Sequence, residues 1–170
     1  MEKIIRDIPI YYEIHGSGAP LVTIHGWSVD HRLMKGCLEP VFQTVESPWQ
    51  RIYFDLPGMG RTPGPEWISG SDDMLAVVLE FIDSLLPGQR FTLAGESYGG
   101  YLAALAVLQR PDVFHAAVAG APVTEWRLYD TAYTERYLGN PADDPAPYDH
   151  SSLLPLAGEL QRALLLIHGL

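Results

Sequence analysis

Apolar and polar positions alternate only at the start of the chain. In MEKIIRDIPIYYEIHG this alternation predicts two strands, residues 3–8 and 10–15, folded as a hairpin. Beyond it the apolar positions come in short solid runs, as in buried strands. Leu21-Val22-Thr23-Ile24 is one such run and ends at His25-Gly26-Trp27. A helix is predicted around 31–45, broken by Pro48-Trp49. Arg51–Asp55 is the next strand, closed by Leu56-Pro57-Gly58-Met59-Gly60. Met74, Leu75, Val78, Leu79, Ile82 and Leu85-Leu86 repeat with helical spacing, so residues 72–86 are predicted helical with Ser71 or Asp72 as cap. Strands are expected at 91–94, 116–119 and 163–167. Helices are expected at 98–109 and 125–138, with a Pro-rich surface stretch over 139–158. An initial hairpin followed by alternating strands and helices defines the α/β class, a mostly parallel sheet with helices on both faces. The 170 residues read as a single domain, without internal repeat or linker.

Composition narrows the function. Apolar residues make up 47% of the chain, enough for a packed core. A net charge of −10 argues against nucleic acid or an anionic membrane surface as partner. The apolar runs are strand-sized, the N-terminus lacks a signal peptide's pattern, and the expectation is a cytoplasmic protein. Cys37 is the sole cysteine, which excludes an internal disulfide; a buried structural thiol is expected. The six histidines are scattered and no Cys/His group has zinc spacing, so neither metal nor cofactor is expected.

The chemistry concentrates in LAGESYGGYLA, residues 93–103. Gly95-Glu96-Ser97-Tyr98-Gly99 follows a predicted strand and opens a predicted helix, the context a nucleophilic serine requires. Small residues two before and two after Ser97 let strand and helix approach closely, so the hydroxyl projects above the strand end. The Tyr98 N–H, at the helix N-terminus, is placed to stabilise an oxyanion. Trp27, at the end of the expected neighbouring strand, offers the second N–H. His25 reads as a residue that shapes this loop, and Asp55 as an acceptor that orders the turn DLPGMGR.

With IHGW, DLPGMGRT and GESYGG in this order, the chain resembles the α/β-hydrolase superfamily over nearly its whole length. Residues 1–103 are similar to small bacterial esterases and proline iminopeptidases. From Ser97 onward, SYGGYLA, AGAPVTEWRLYDTAYTERYLG and the LLLIHG ending resemble the prolyl oligopeptidase and dipeptidyl peptidase family. That resemblance implies an apolar pocket at Val123, Trp126, Tyr129 and Tyr133 that favours proline before the scissile bond; the competing reading is an amphipathic helix whose aromatic residues pack on the sheet. A front half (1–103) like one branch and a back half (104–170) like another implies an engineered or reconstructed chimera.

The resemblance also implies something missing. In this superfamily the acid follows the strand ending at Ile167 and the histidine comes one strand later, so both would lie past Leu170. Glu125 stands where some relatives carry the acid, but an acid without a histidine activates nothing. His150, beside Asp149, is expected to be an ordinary exposed histidine, and His168 and His115 do not occupy the position of a base. The implied protein is a C-terminally truncated serine hydrolase with weak or no turnover of small esters or peptides. Its rivals are a non-catalytic scaffold and a small-ligand binding module. The 163–167 strand would be an unprotected edge, so a homo-oligomer through that edge is expected.

Overall fold

The computed structural model describes residues 1–44 and 48–169. The hairpin forms as β1 (Glu2–Ile5) and β2 (Ile8–His15), joined by Arg6 and Asp7, both at positive φ. β3 (Ala19–Ile24), α1 (His31–Thr44), β4 (Trp49–Phe54), α2 (Ser71–Leu85), β5 (Thr92–Glu96), α3 (Tyr98–Gln109) and β6 (Ala116–Gly120) follow. The chain then runs through α4 (Thr131–Leu138) and α5 (Ala146–Ser151) to β7 (Ala163–Ile167). Position 45, the end of the first expected helix, lies outside the described residues.

One seven-stranded sheet holds them in the order β1-β2-β4-β3-β5-β6-β7, with β1 and β2 antiparallel and β3 to β7 parallel. The strand order steps left from β3 to β4, then right through β5 to β6. Right-handed crossovers therefore put α1 on one face and α2 with α3 on the other. Strands reverse direction of travel at β3, and the crevice beyond their carboxyl ends at this point is where such sheets bind ligands.

α3 is apolar on every side, and Tyr98 to Leu108 are all buried. It is the central helix, packed on β5 and β6 and touching β3. At the far end the sheet is poorly covered: Leu165, Leu166 and Ile167 of β7 are 56%, 54% and 55% exposed.

Four expectations need correction. Cys37 is exposed, because α1 turns His31 and Met34 inward instead. Neither Ser71 nor Asp72 caps α2; the cap position is Gly70, with no side-chain cap bond. Ser71 Oγ lies 3.2 Å from the Tyr98 hydroxyl, and Asp72 pairs with His150, so both side chains are committed elsewhere. The predicted helix over 125–138 is broken in two. Glu125 caps a single 3-10 turn, Trp126–Leu128, and Asp130 starts α4 by accepting from Tyr133 N–H at 2.8 Å.

The stretch 139–158 is more than surface loop. It contains α5 and a 3-10 segment, Leu154–Glu159, and buries Tyr148 and Leu153. Tyr148 donates its hydroxyl to Gly139 O at 2.8 Å, and Leu153 N–H donates to Thr124 O at 3.0 Å. Arg127 donates to Pro145 O at 3.2 Å and to Asp149 Oδ1 at 2.7 Å. If the buried ring anchors this strap, Tyr148→Ala lowers stability by about 3 kcal/mol in urea unfolding, whereas loss of the exposed ion pair in Asp149→Ala costs under about 1 kcal/mol.

Candidate active site

The elbow is made by close backbone packing. Ser97 sits between β5 and α3 at φ 56°, a left-handed conformation costly for a residue with a Cβ. Gly95 and Gly99 make that turn possible. A Cβ on Gly95 would strike Gly99 O, and one on Gly99 would strike the Ile24 and His25 carbonyls. The Ser97 N–H donates to Gly120 O at 2.9 Å and its carbonyl accepts from Tyr101 N–H at 2.9 Å, so its backbone is held from two sides. Among the described residues its hydroxyl has no hydrogen-bond partner. The Trp27 and Tyr98 N–H groups likewise donate to no acceptor among the described residues.

β3 runs beside β5 with Ile24 opposite Gly95, which carries His25-Gly26-Trp27 to the elbow. A Cβ on Gly26 would lie 3.1 Å from Glu96 Oε2, 3.2 Å from Ser97 Cβ and 3.5 Å from Ser97 Oγ. His25 is fully buried and fixes this loop. Its Nδ1–H donates to Gly26 O at 2.7 Å, and Nε2 accepts the Leu56 N–H at 3.0 Å. That pairing sets a neutral ring, and burial pushes its pKa down. Asp55 orders the next loop: it accepts from His31 N–H (2.8 Å), His31 Nδ1 (2.7 Å) and Arg61 N–H (2.8 Å). His31 Nε2 lies 3.2 Å from Glu13, so the imidazole is enclosed between two carboxylates.

Beside the elbow opens a pocket of about 280 Å³. Trp27, Tyr98, Trp126 and Tyr133 line it together with Tyr137, Met74, Ser71 and Ile68. Val123 is half-buried against the core and Tyr129 is 45% exposed; neither lines the pocket. Tyr129 instead meets the Trp126 and Tyr133 rings edge-on from outside, at centroid distances of 6.0 and 5.5 Å. Burial raises the Tyr98 hydroxyl far above its ordinary pKa and that of Tyr133 to about 12, so both stay neutral. Tyr137 was not singled out in the sequence. It accepts the Trp27 Nε1–H at 3.1 Å and stands one helical turn after Tyr133, a spacing that marks it as a neighbour on the same face.

Five of the six histidines have hydrogen-bond partners among the described residues. His15 pairs with Glu13 and His150 with Asp72; His168 Nδ1 bonds to Gly169 O, and His115 is exposed at the strand's other end. Glu125 accepts from Arg127. None of them bonds to Ser97 among the described residues.

A strained serine between strand and helix at the carboxyl end of a parallel sheet, with a histidine-anchored loop on the adjacent strand, defines an α/β-hydrolase fold. Residues 69–170 match the prolyl oligopeptidase family, and the chain belongs to it. Mouse dipeptidyl peptidase 8 is 45% identical over 98 residues, 56% of this chain and 10% of that protein. Mouse inactive dipeptidyl peptidase 10 is 31% identical over 103 residues, 60% of this chain and 13% of that protein. The chain thus spans about a tenth of the length of these relatives. Among solved structures, an α/β superfamily hydrolase from Oenococcus oeni aligns with TM-score 0.64 and 35% identity over 74% of this chain and 46% of its own. A protein described as a putative dipeptidyl aminopeptidase IV from Bacteroides ovatus aligns with TM-score 0.74 and 22% identity over 94% of this chain and 26% of its own, a likeness of fold. No described helix is long and apolar enough to cross a membrane.

Gly99→Ala tests the elbow: the added methyl meets two backbone carbonyls that cannot rotate away, so unfolding experiments should show a loss of at least about 2 kcal/mol.

Proposed function

We propose that this chain is a serine-hydrolase domain in which Ser97 is the nucleophile and small activated esters are the substrates. The observation that supports it most is the strained Ser97, its hydroxyl unbonded among the described residues, next to two N–H groups without acceptors. In the proposed step Ser97 Oγ attacks the ester carbonyl, and the Trp27 and Tyr98 N–H groups stabilise the oxyanion. The aromatic pocket receives a compact apolar acyl or proline-like group, with Trp126 and Tyr133 as inner walls and Val123 and Tyr129 as outer support. No cofactor takes part. Among the described residues no histidine bonds to Ser97, and oxyanion stabilisation and binding alone leave about 10³–10⁴-fold over water in serine proteases.

The rival is a non-catalytic scaffold, favoured by the engagement of five of the six histidines elsewhere; one relative is itself described as inactive. In either case the exposed edge of β7 favours a homo-oligomer. The likeness of the back half to dipeptidyl peptidases, beside a front half of esterase type, supports a join of two branches. An exposed unpaired thiol suits a reducing compartment, and the cytoplasm is proposed.

Hydrolysis of p-nitrophenyl acetate by the wild type and Ser97→Ala tests the catalytic reading. Faster wild-type turnover supports it, and equal slow rates select the scaffold. Light scattering after size exclusion checks assembly: the wild type should dimerise with concentration, and Leu165→Lys should shift it to monomer. A wild type monomeric throughout removes the assembly claim.

A further inference from the structure

The aromatic rings at the pocket form a closed circuit. Tyr98 meets Trp27 at 5.1 Å between centroids, Trp27 meets Tyr137 at 5.5 Å, and Tyr137 meets Tyr133 at 5.2 Å. Tyr133 then meets Trp126 at 6.2 Å, Trp126 meets Tyr101 at 5.6 Å, and Tyr101 returns to Tyr98 at 5.8 Å. Five of the six line the pocket, and Tyr101 lies buried behind them. The circuit has a core side and a solvent side. Tyr98, Tyr101 and Trp126 are buried, Trp27 and Tyr133 are half-buried, and Tyr137 is 51% exposed. A wall on the core side moves only by disturbing the packing of α3, whereas a wall on the solvent side can change by itself.

The solvent-side link joins segments far apart in the chain. Trp27 belongs to the loop after β3 and Tyr137 to α4, 110 residues later. The Trp27 Nε1–H donates to the Tyr137 hydroxyl at 3.1 Å, and the two rings cross at 75°, edge to face. The Arg136 guanidinium lies 5.9 Å from the centre of the Tyr137 ring and adds a cation–π contact. Tyr137 is thus held by three neighbours although half of it faces solvent.

We infer that Tyr137, through its contact with Trp27, sets the size of the acyl group that the pocket takes, an inference that rests on the serine-hydrolase reading above. At about 280 Å³ the closed pocket lies just below the usual range of small-molecule sites, roughly 300–1,000 Å³. It has room for a compact acyl group or a five-membered ring, and a longer chain meets the Trp27–Tyr137 contact. One methylene against an apolar wall changes discrimination by about 10- to 200-fold. Without the Tyr137 ring the gap between Trp27 and Tyr133 opens toward solvent, and a longer acyl chain runs out through it. The loop that carries the Trp27 N–H is fixed separately, by the buried His25. Loss of Tyr137 therefore alters which esters enter rather than the oxyanion donors.

The experiment compares kcat/KM for p-nitrophenyl acetate, butyrate and octanoate in the wild type, Tyr137→Ala, Tyr137→Phe and Leu128→Ala, with Ser97→Ala as blank. Butyramide and octanamide are titrated in parallel by ligand-observed NMR, so that binding is read without turnover. The wild type should favour the acetate and butyrate esters and bind butyramide over octanamide. In Tyr137→Ala the octanoate-to-butyrate rate ratio and the octanamide-to-butyramide affinity ratio should both rise at least about 10-fold. Tyr137→Phe keeps the ring and loses the hydrogen bond, so its shift should be smaller. Leu128, 86% exposed on the turn before α4, should leave both ratios unchanged when replaced by alanine. Unchanged ratios in Tyr137→Ala overturn the inference, as does a wild type that takes the octanoyl compounds as well as the butyryl ones. If no variant hydrolyses esters faster than Ser97→Ala while the amide ratio shifts as expected, the serine-hydrolase reading falls and size selection by Tyr137 stands. If hydrolysis depends on Ser97 and neither ratio moves, the reverse holds. Should Tyr137→Ala fail to fold, Tyr137→Phe and Trp27→Phe, which loosens the same contact from the other side, decide.

Discussion

Everything at the site depends on how closely the first turn of α3 lies against the ends of β3, β5 and β6. Gly95 meets Gly99, Gly99 meets the carbonyls of Ile24 and His25, and Gly100 meets Gly120 O. These are backbone-to-backbone contacts, so no rotamer change relieves them. They force the link between β5 and α3 into one residue, and that residue, Ser97, must take a left-handed conformation. The same packing brings the β3 loop under the serine. Strain at one position and a loop at one distance are thus two results of a single helix–sheet contact, stabilised by the burial of an entirely apolar helix.

Around that contact the polar groups divide into those that hold the loops and one that does not. His25 clips its own loop to Leu56, and Asp55 clips the following loop to α1 and to Arg61. Each is buried with its bonding capacity used, which makes it rigid and chemically inert. Glu96 lies next to Ser97 and has no such partner among the described residues.

The aromatic wall depends on a longer-range tie. Trp126 belongs to a short turn that a helix would not have allowed, because Glu125 and Asp130 each cap a separate piece. That break lets Trp126 stack near Tyr133, at 6.2 Å between centroids, while both face the pocket. Arg127, on the same turn, reaches back to the strap over residues 139–153, whose buried Tyr148 keeps it in place.

The strands, the main helices and the elbow were legible in the sequence because each follows from local rules: solid apolar runs for buried strands, helical spacing in 72–86, and small residues flanking Ser97. Local rules failed where side chains had distant partners. Ser71 and Asp72 look like caps, yet Tyr98 and His150 claim them. A Pro-rich stretch looks like surface, yet Tyr148 finds the core. Cys37 looks like core, yet the rotation of α1 on the sheet turns it outward. The sequence alone determined the α/β order and the place of the strained serine, since such a turn demands particular residues at fixed offsets. The tertiary structure decided which aromatic residues share the pocket, because that depends on strands and helices that meet across tens of residues of chain.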